Sequence, residues 1–208
     1  MVNVLTDGPA DSPYVFLFAH GAGGAMDTPF MTTVARGLAG AGIRVVRFEF
    51  PYMAARRSTA PDRTPVLLET WREAIAEQGG GARVAIGGKS LGGRMATMIA
   101  AEAGVRAAVC FGYPFHPPGK PQQLRTAHLE TLQVPTLILQ GTRDPFGTEA
   151  EVAGYTLSPA IRIEWLPDGD HSLKPRASSG ATEREHLARA VACAAGFLKS
   201  SFPHGRHS

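Results

Sequence analysis

The chain has 208 residues, of which 44% are hydrophobic and 19% charged, a balance that suits a globular protein and excludes wholesale disorder. Its 21 Lys and Arg against 18 Asp and Glu leave a net charge of +3, too small an excess to imply nucleic acid. Two cysteines, Cys110 and Cys193, make no disulfide framework, and no apolar run approaches the ~18 residues of a membrane span.

Residues 1–12 are weakly patterned and read at most as an edge strand. Short β-rich runs then alternate with helical patterns. The composition predicts a strand over 14–19 (YVFLFA), a helix over 29–39, a strand over 43–48 (IRVVRF) and a loop-like stretch from Pro51 to Pro65. A helix over 65–78, a strand over 83–87 (RVAIG), a helix over 91–103 and a strand over 107–111 (AAVCF) follow. The remainder reads as a helix over 121–129, a strand over 134–139, a helix over 148–155, a strand over 161–165 and a final helix over 182–200. Most of the strands are almost continuously apolar, as strands covered on both faces must be. The alternation predicts a doubly wound, mostly parallel sheet in three α/β/α layers, with the carboxyl ends of the strands along one ligand-binding edge. One domain over 1–208 is expected, with 203–208 a frayed tail. The N-terminus has no basic segment leading into an apolar run, so a cytoplasmic protein is expected.

The segment from Arg83 to Arg94 holds Gly88-Lys89-Ser90-Leu91-Gly92, a G-x-S-x-G pattern set between an apolar strand and a helix pattern. A nucleophile on such a turn has crowded backbone neighbours, and glycines relieve the crowding. Ser90 is therefore the candidate nucleophile; the alternative is a helix N-cap serine. A phosphate loop G-x-x-x-x-G-K-[ST] is disfavoured because Arg83 stands where its first glycine belongs. The run His20-Gly21-Ala22-Gly23-Gly24 after the first long strand is a candidate oxyanion loop. The Ala22 backbone N–H, with Gly23 as rival, would join that of Leu91, while His20 braces the loop.

A serine needs a base, and the base an orienting acid. Of the seven histidines, His204 and His207 lie in the tail, His186 reads as a surface helix residue, and His116 and His128 precede a later strand. His171 follows the last strand in a polar turn and is the candidate base. Asp144, just past the strand 134–139, is the candidate acid; Asp168 and Asp170 compete but suit turn and capping bonds better. The stretch Tyr113–Pro118 is expected to form one cleft wall in which Tyr113, Phe115 and His116 contact substrate, the alternative being a rigid Pro-rich turn with packed aromatics; the stretch Phe50–Met53 would form another wall. Lys89, Arg94 and Arg143 neighbour the candidates and would attract an anionic substrate if they point inward. Arg44, Arg47, Arg56, Arg57 and Arg63 form a loose basic group that does not read as a nucleic-acid surface.

Together HGAGG, FEFPY, GGKSLGGRMA, FGYPFHPPGKP, LILQGTRDPFG and GDHSLKP resemble the α/β-hydrolase superfamily over nearly the whole chain. More narrowly, they resemble a small bacterial serine hydrolase group related to dienelactone-hydrolase-like and testis-expressed or chromatin-complex hydrolase-like proteins. The resemblance implies Ser-His-Asp hydrolysis of an ester or thioester through an acyl-enzyme, on a small-molecule acyl substrate. It implies no metal or organic cofactor, no nucleic acid or membrane partner, and a monomer or homodimer. Dienelactone hydrolases carry Cys where this chain has Ser90, so that particular substrate is not carried over. Only Gly112 to Gln133 separates two strands where a cap would sit, so a minimal core with an open cleft is expected. The rival reading is a non-catalytic interaction module on the same fold.

Overall fold

The computed structural model describes residues 3–55 and 60–202. Seven strands form one sheet: β1 (Val4–Asp7), β2 (Val15–Ala19), β3 (Arg44–Phe48), β4 (Ala85–Lys89), β5 (Ala108–Phe111), β6 (Thr136–Gly141) and β7 (Ile161–Leu166). The spatial order is β1-β3-β2-β4-β5-β6-β7, parallel throughout except for β1, which lies antiparallel on β3 at one edge. The register aligns Ala19 with both Phe48 and Gly88, and Lys89 with Phe111, so the carboxyl ends of the central strands form a common rim.

Six helices flank the sheet: α1 (Pro29–Gly40), α2 (Pro51–Ala54), α3 (Thr64–Glu77), α4 (Leu91–Ala103), α5 (Glu149–Val152) and α6 (Glu183–Ser201). The period-2 alternation of β2 sends Phe16 and Phe18 to the face covered by α1 and α6, where Met31, Val34, Leu38, Ala190, Ala194 and Leu198 pack. Leu17 and Ala19 point to the opposite face, against Trp71 of α3 and Met95 and Ile99 of α4. Both faces are dry, which explains why the strands read as unbroken apolar runs. Several helix starts follow side-chain caps: Thr28 accepts from Met31 N, and Thr182 forms a capping box with Glu185.

The structure departs from the sequence expectations in identifiable places. The helix expected over 121–129 is absent apart from a 3-10 turn at Ala127–Leu129; the backbone bonds go elsewhere, Arg125 N donating to the Phe115 carbonyl at 2.8 Å and Gln123 N to the Lys120 carbonyl at 3.0 Å. The helix expected over 148–155 is shortened to α5. Residues 81–83 form a 3-10 turn instead of opening β4, which runs on to Lys89. The loop-like stretch after Phe50 contains α2, and its Arg56 and Arg57, like the tail 203–208 with His204 and His207, lie outside the described residues. His186, expected at the surface, is buried and its Nδ1–H donates to the Leu173 carbonyl at 2.8 Å. No helix among the described residues is long and apolar enough to cross a membrane.

Arg47, one of the loose basic group noted in the sequence, is buried and ties three segments together. Its Nε and Nη2 donate to Asp7 Oδ2 at 3.0 and 2.8 Å, and its Nη1 donates to the Met26 carbonyl and to Thr32 Oγ1. Removing one partner of a buried pair strands the other charge. Asp7→Ala is therefore expected to lower the unfolding free energy by about 2 kcal/mol. Urea denaturation reads this, and an unchanged midpoint would show that the edge strand needs no such pin.

Candidate active site

The turn from β4 into α4 carries Ser90 with φ 49° and ψ −112°, a left-handed conformation that a non-glycine residue adopts only under constraint. Its own N–H donates to the Phe111 carbonyl at 3.1 Å, which ties the turn to β5. Gly88 and Gly92 are the price of this geometry: a Cβ on either would come within 2.5 Å of the Ala19 carbonyl oxygen. The crowding thus comes from the end of β2. The Ser90 side chain makes no capping bond to α4, which answers the N-cap alternative. Its Oγ instead lies 2.8 Å from His171 Nε2.

His171 Nδ1 lies 2.8 Å from Asp144 Oδ2. A carboxylate only accepts, so Nδ1 carries the proton and Nε2 is left to accept from the serine hydroxyl. Three segments distant in sequence, after β4, β6 and β7, therefore meet in one hydrogen-bonded chain. Asp144 is fully buried, and both its oxygens are hydrogen-bonded: Oδ1 accepts from Phe146 N at 2.8 Å and Oδ2, beside the His171 bond, from Gln140 Nε2 at 2.9 Å. The competitors are engaged elsewhere. Asp168 pairs with Arg176 and Arg143, and Asp170 Oδ1 accepts from Ser172 N and Lys174 N, the turn bonds expected of it.

His171 is enclosed. Phe146 stacks on its ring with centroids 4.1 Å apart. Lys89, the residue before the serine, is half-buried and donates its Nζ to the His171 carbonyl, with the Phe30 ring 5.5 Å away. Burial pushes the Lys89 ammonium down to about 8, opposed by Asp144 and Asp170. Burial also holds the His171 imidazole below its ordinary value; the bond to Asp144 opposes this and the Lys89 charge adds to it. The ring is thereby kept neutral and able to take a proton near pH 7.

Gly21, Ala22, Ser90 and Leu91 line the same cleft, whose volume is about 460 Å³. Leu91 is the first residue of α4, so its N–H has no partner within the helix. His20 braces the loop from behind: its Nε2 accepts from Phe50 N at 3.1 Å, and its Nδ1–H donates to the Gly21 carbonyl at 2.8 Å. Among the described residues no group of three His, Cys, Asp or Glu converges as a metal site requires.

Tyr113, Phe115 and His116 do not face the cleft. All three are buried, and the Tyr113 and Phe115 rings pack at a tilt, centroids 4.8 Å apart, within the α3/α4 core. Gln140 draws this segment inward, accepting from Tyr113 N and donating to its carbonyl, so that Pro114 alone of the stretch reaches the cleft. Phe50 and Tyr52 likewise pack on the His20 ring and form no outer wall. Arg143 donates to the Asp168 carbonyl and points away. Sequence reading missed Gln140, Phe146 and Arg125. Gln140 had one signal, a polar residue ending the apolar run LIL; Arg125 had none.

The family profile described as "Alpha/beta hydrolase domain" matches residues 12–199. The chain belongs to the α/β-hydrolase family. Solved structures agree in fold at low identity. An α/β serine hydrolase without a lid from Xanthomonas campestris superposes with a TM-score of 0.72 at 20% identity, covering 97% of this chain and 89% of that one. A dienelactone hydrolase from Anabaena variabilis gives 0.73 at 21%, covering 96% and 92%. The esterase domain of a Rhodothermus marinus protein gives 0.67 at 17%, covering 96% and 99%. This α/β-hydrolase is likewise built without a sizeable cap, since only turns and one 3-10 segment join β5 to β6.

The site electrostatics make a direct prediction. Lys89→Met removes a cation that disfavours imidazolium, so the His171 titration midpoint should move up toward the ordinary 6.5. Imidazole NMR signals followed against pH read this shift. A midpoint that stays put or falls would mean that the Lys89 charge is not felt at the ring.

Proposed function

We propose that this protein is a serine hydrolase that cleaves an ester or thioester through an acyl-enzyme. The observation that carries the reading is the unbroken hydrogen-bonded chain Ser90–His171–Asp144, with 2.8 Å at both links. On this reading His171 Nε2 takes the Ser90 proton as Oγ attacks the acyl carbon. Asp144 keeps the imidazole in the Nδ1–H tautomer and stabilises the imidazolium that forms. Leu91 and Ala22 N–H groups receive the negative charge on the carbonyl oxygen, each such donor contributing ~3 kcal/mol to the transition state. The imidazolium then protonates the leaving alcohol or thiol. Water activated by the same ring releases the acid and restores Ser90.

The family match, and the hydrolase and esterase descriptions of the similar structures, support this class of reaction. The open cleft, with Pro61 and Pro114 at its sides and no cap above it, suits small acyl groups. An interaction module would have no use for a strained, fully oriented serine, and strain of this kind persists where it serves chemistry.

A fluorophosphonate probe is expected to label Ser90 promptly, and the protein to turn over p-nitrophenyl butyrate. Ser90→Ala should reduce kcat by ~10⁴-fold or more while leaving the circular dichroism spectrum unchanged. Folded wild-type protein that neither reacts with the probe nor hydrolyses short esters would favour the interaction module.

A further inference from the structure

The cleft beside Ser90 holds positive charge with no counter-charge. Arg94, one turn along α4 from the serine, and Arg125, in the segment between β5 and β6, both line it. No acidic residue lines the cleft among the described residues; Asp144 lies sealed behind His171. Among the described residues neither guanidinium has an ion-pair partner, whereas Arg47, Arg72, Arg143, Arg162, Arg176 and Arg189 each engage a carboxylate. Arg94 Nε is buried with no hydrogen-bond partner at all. Lys89 does not belong to this pair, because its ammonium is committed to the His171 carbonyl.

The backbones that bear the two arginines are anchored. Thr97 Oγ1 donates to the Arg94 carbonyl at 2.8 Å, and the Tyr113 hydroxyl donates to the Arg125 carbonyl at 3.2 Å. His128 Nε2 sits between these hydroxyls, 2.9 Å from Thr97 Oγ1 and 3.4 Å from the Tyr113 oxygen. Thr97 and Tyr113 are buried. The network carries no charge that would balance the arginines: burial, helped by Arg94, pushes His128 down to about 4 and keeps it neutral. Arg125 itself is disfavoured as a cation first by burial and then by Arg94, so the two like charges act on each other. Two guanidiniums with unused donors, borne on anchored backbone, form the donor set that recognises a carboxylate or phosphate.

We propose that Arg94 and Arg125 form an anion-binding subsite, and that the substrate is an ester bearing a second, ionised oxyanion group remote from the reacting carbonyl. This rests on the serine-hydrolase reading of the same cleft. The subsite would hold that anion while Ser90 meets the acyl carbon, so the binding energy of the charged end orients the reacting end.

The test separates the two readings. In the folded Ser90→Ala protein, calorimetry compares glutarate, glycerol 3-phosphate and neutral glutaramide. At least one anion is expected to bind about tenfold or more tighter than glutaramide, and the preferred anion tells carboxylate from phosphate. Arg94→Gln and Arg125→Gln should each lose most of that preference, Arg94→Lys should keep part of it, and added salt should weaken it. With Ser90 intact, the kcat/KM ratio of monoethyl adipate to ethyl hexanoate is measured within each variant, which controls for folding. The ratio should exceed one in the wild type and fall in both glutamine variants. Anion preference in Ser90→Ala without any ester turnover would keep the subsite and remove the hydrolase. Turnover of neutral esters with glutaramide bound as well as both anions, or a preference that survives the double glutamine variant, would overturn the subsite.

Discussion

The site depends on one steric constraint, the contact between the β4–α4 turn and the carboxyl end of β2. Ser90 can sit at φ 49° because Gly88 and Gly92 let the turn close onto the Ala19 carbonyl, and because its N–H is held by the Phe111 carbonyl. Those partners belong to the strands on either side of β4. A rigid sheet therefore sets the serine, and a parallel sheet of this order brings the ends of β2, β4 and β5 to one rim. The loop after β2 reaches the cleft for the same reason, with His20 and Phe50 fixing its path from beneath.

Electrostatics then act on what sterics have placed. Asp144 is buried at no evident cost because Gln140, Phe146 and His171 satisfy its oxygens. Gln140 also joins Tyr113 to this group, so the path of the segment after β5 and the orientation of Asp144 are parts of one network. Lys89 holds the backbone of the histidine turn and biases the ring towards its neutral form. The cleft that results is lined by Lys89, Arg94 and Arg125 and by a histidine whose charged form is disfavoured.

Much of this was legible before any coordinates. Ser90, Asp144 and His171 stand out because each follows an apolar strand in a short, turn-rich segment, and strand ends in a parallel sheet share one edge. The misread residues have a common feature. Tyr113, Phe115 and His116 also follow a strand, but whether a side chain after a strand turns outward or inward depends on the bonds that capture its backbone, and here Gln140 captures it inward. His186 reads from sequence as a surface helix residue and Arg47 as one of a loose basic group, yet each is buried where a specific acceptor awaits it, the Leu173 carbonyl and Asp7. The missing helix at 121–129 reflects a bond made outside the segment, from Arg125 N to the Phe115 carbonyl, which local helical composition does not show.

By itself the sequence determined the alternation of strands and helices, the edge at which chemistry would gather, and which hydroxyl, imidazole and carboxylate belong together, because periodicity and glycine spacing are local properties of the chain. Only the tertiary structure decided which charges in the cleft are paired and which are left unbalanced. Pairing depends on distances between segments far apart in sequence, as with Lys89 and the His171 carbonyl, 82 positions apart, or with Arg94 and Arg125, drawn to one wall by Thr97, Tyr113 and His128.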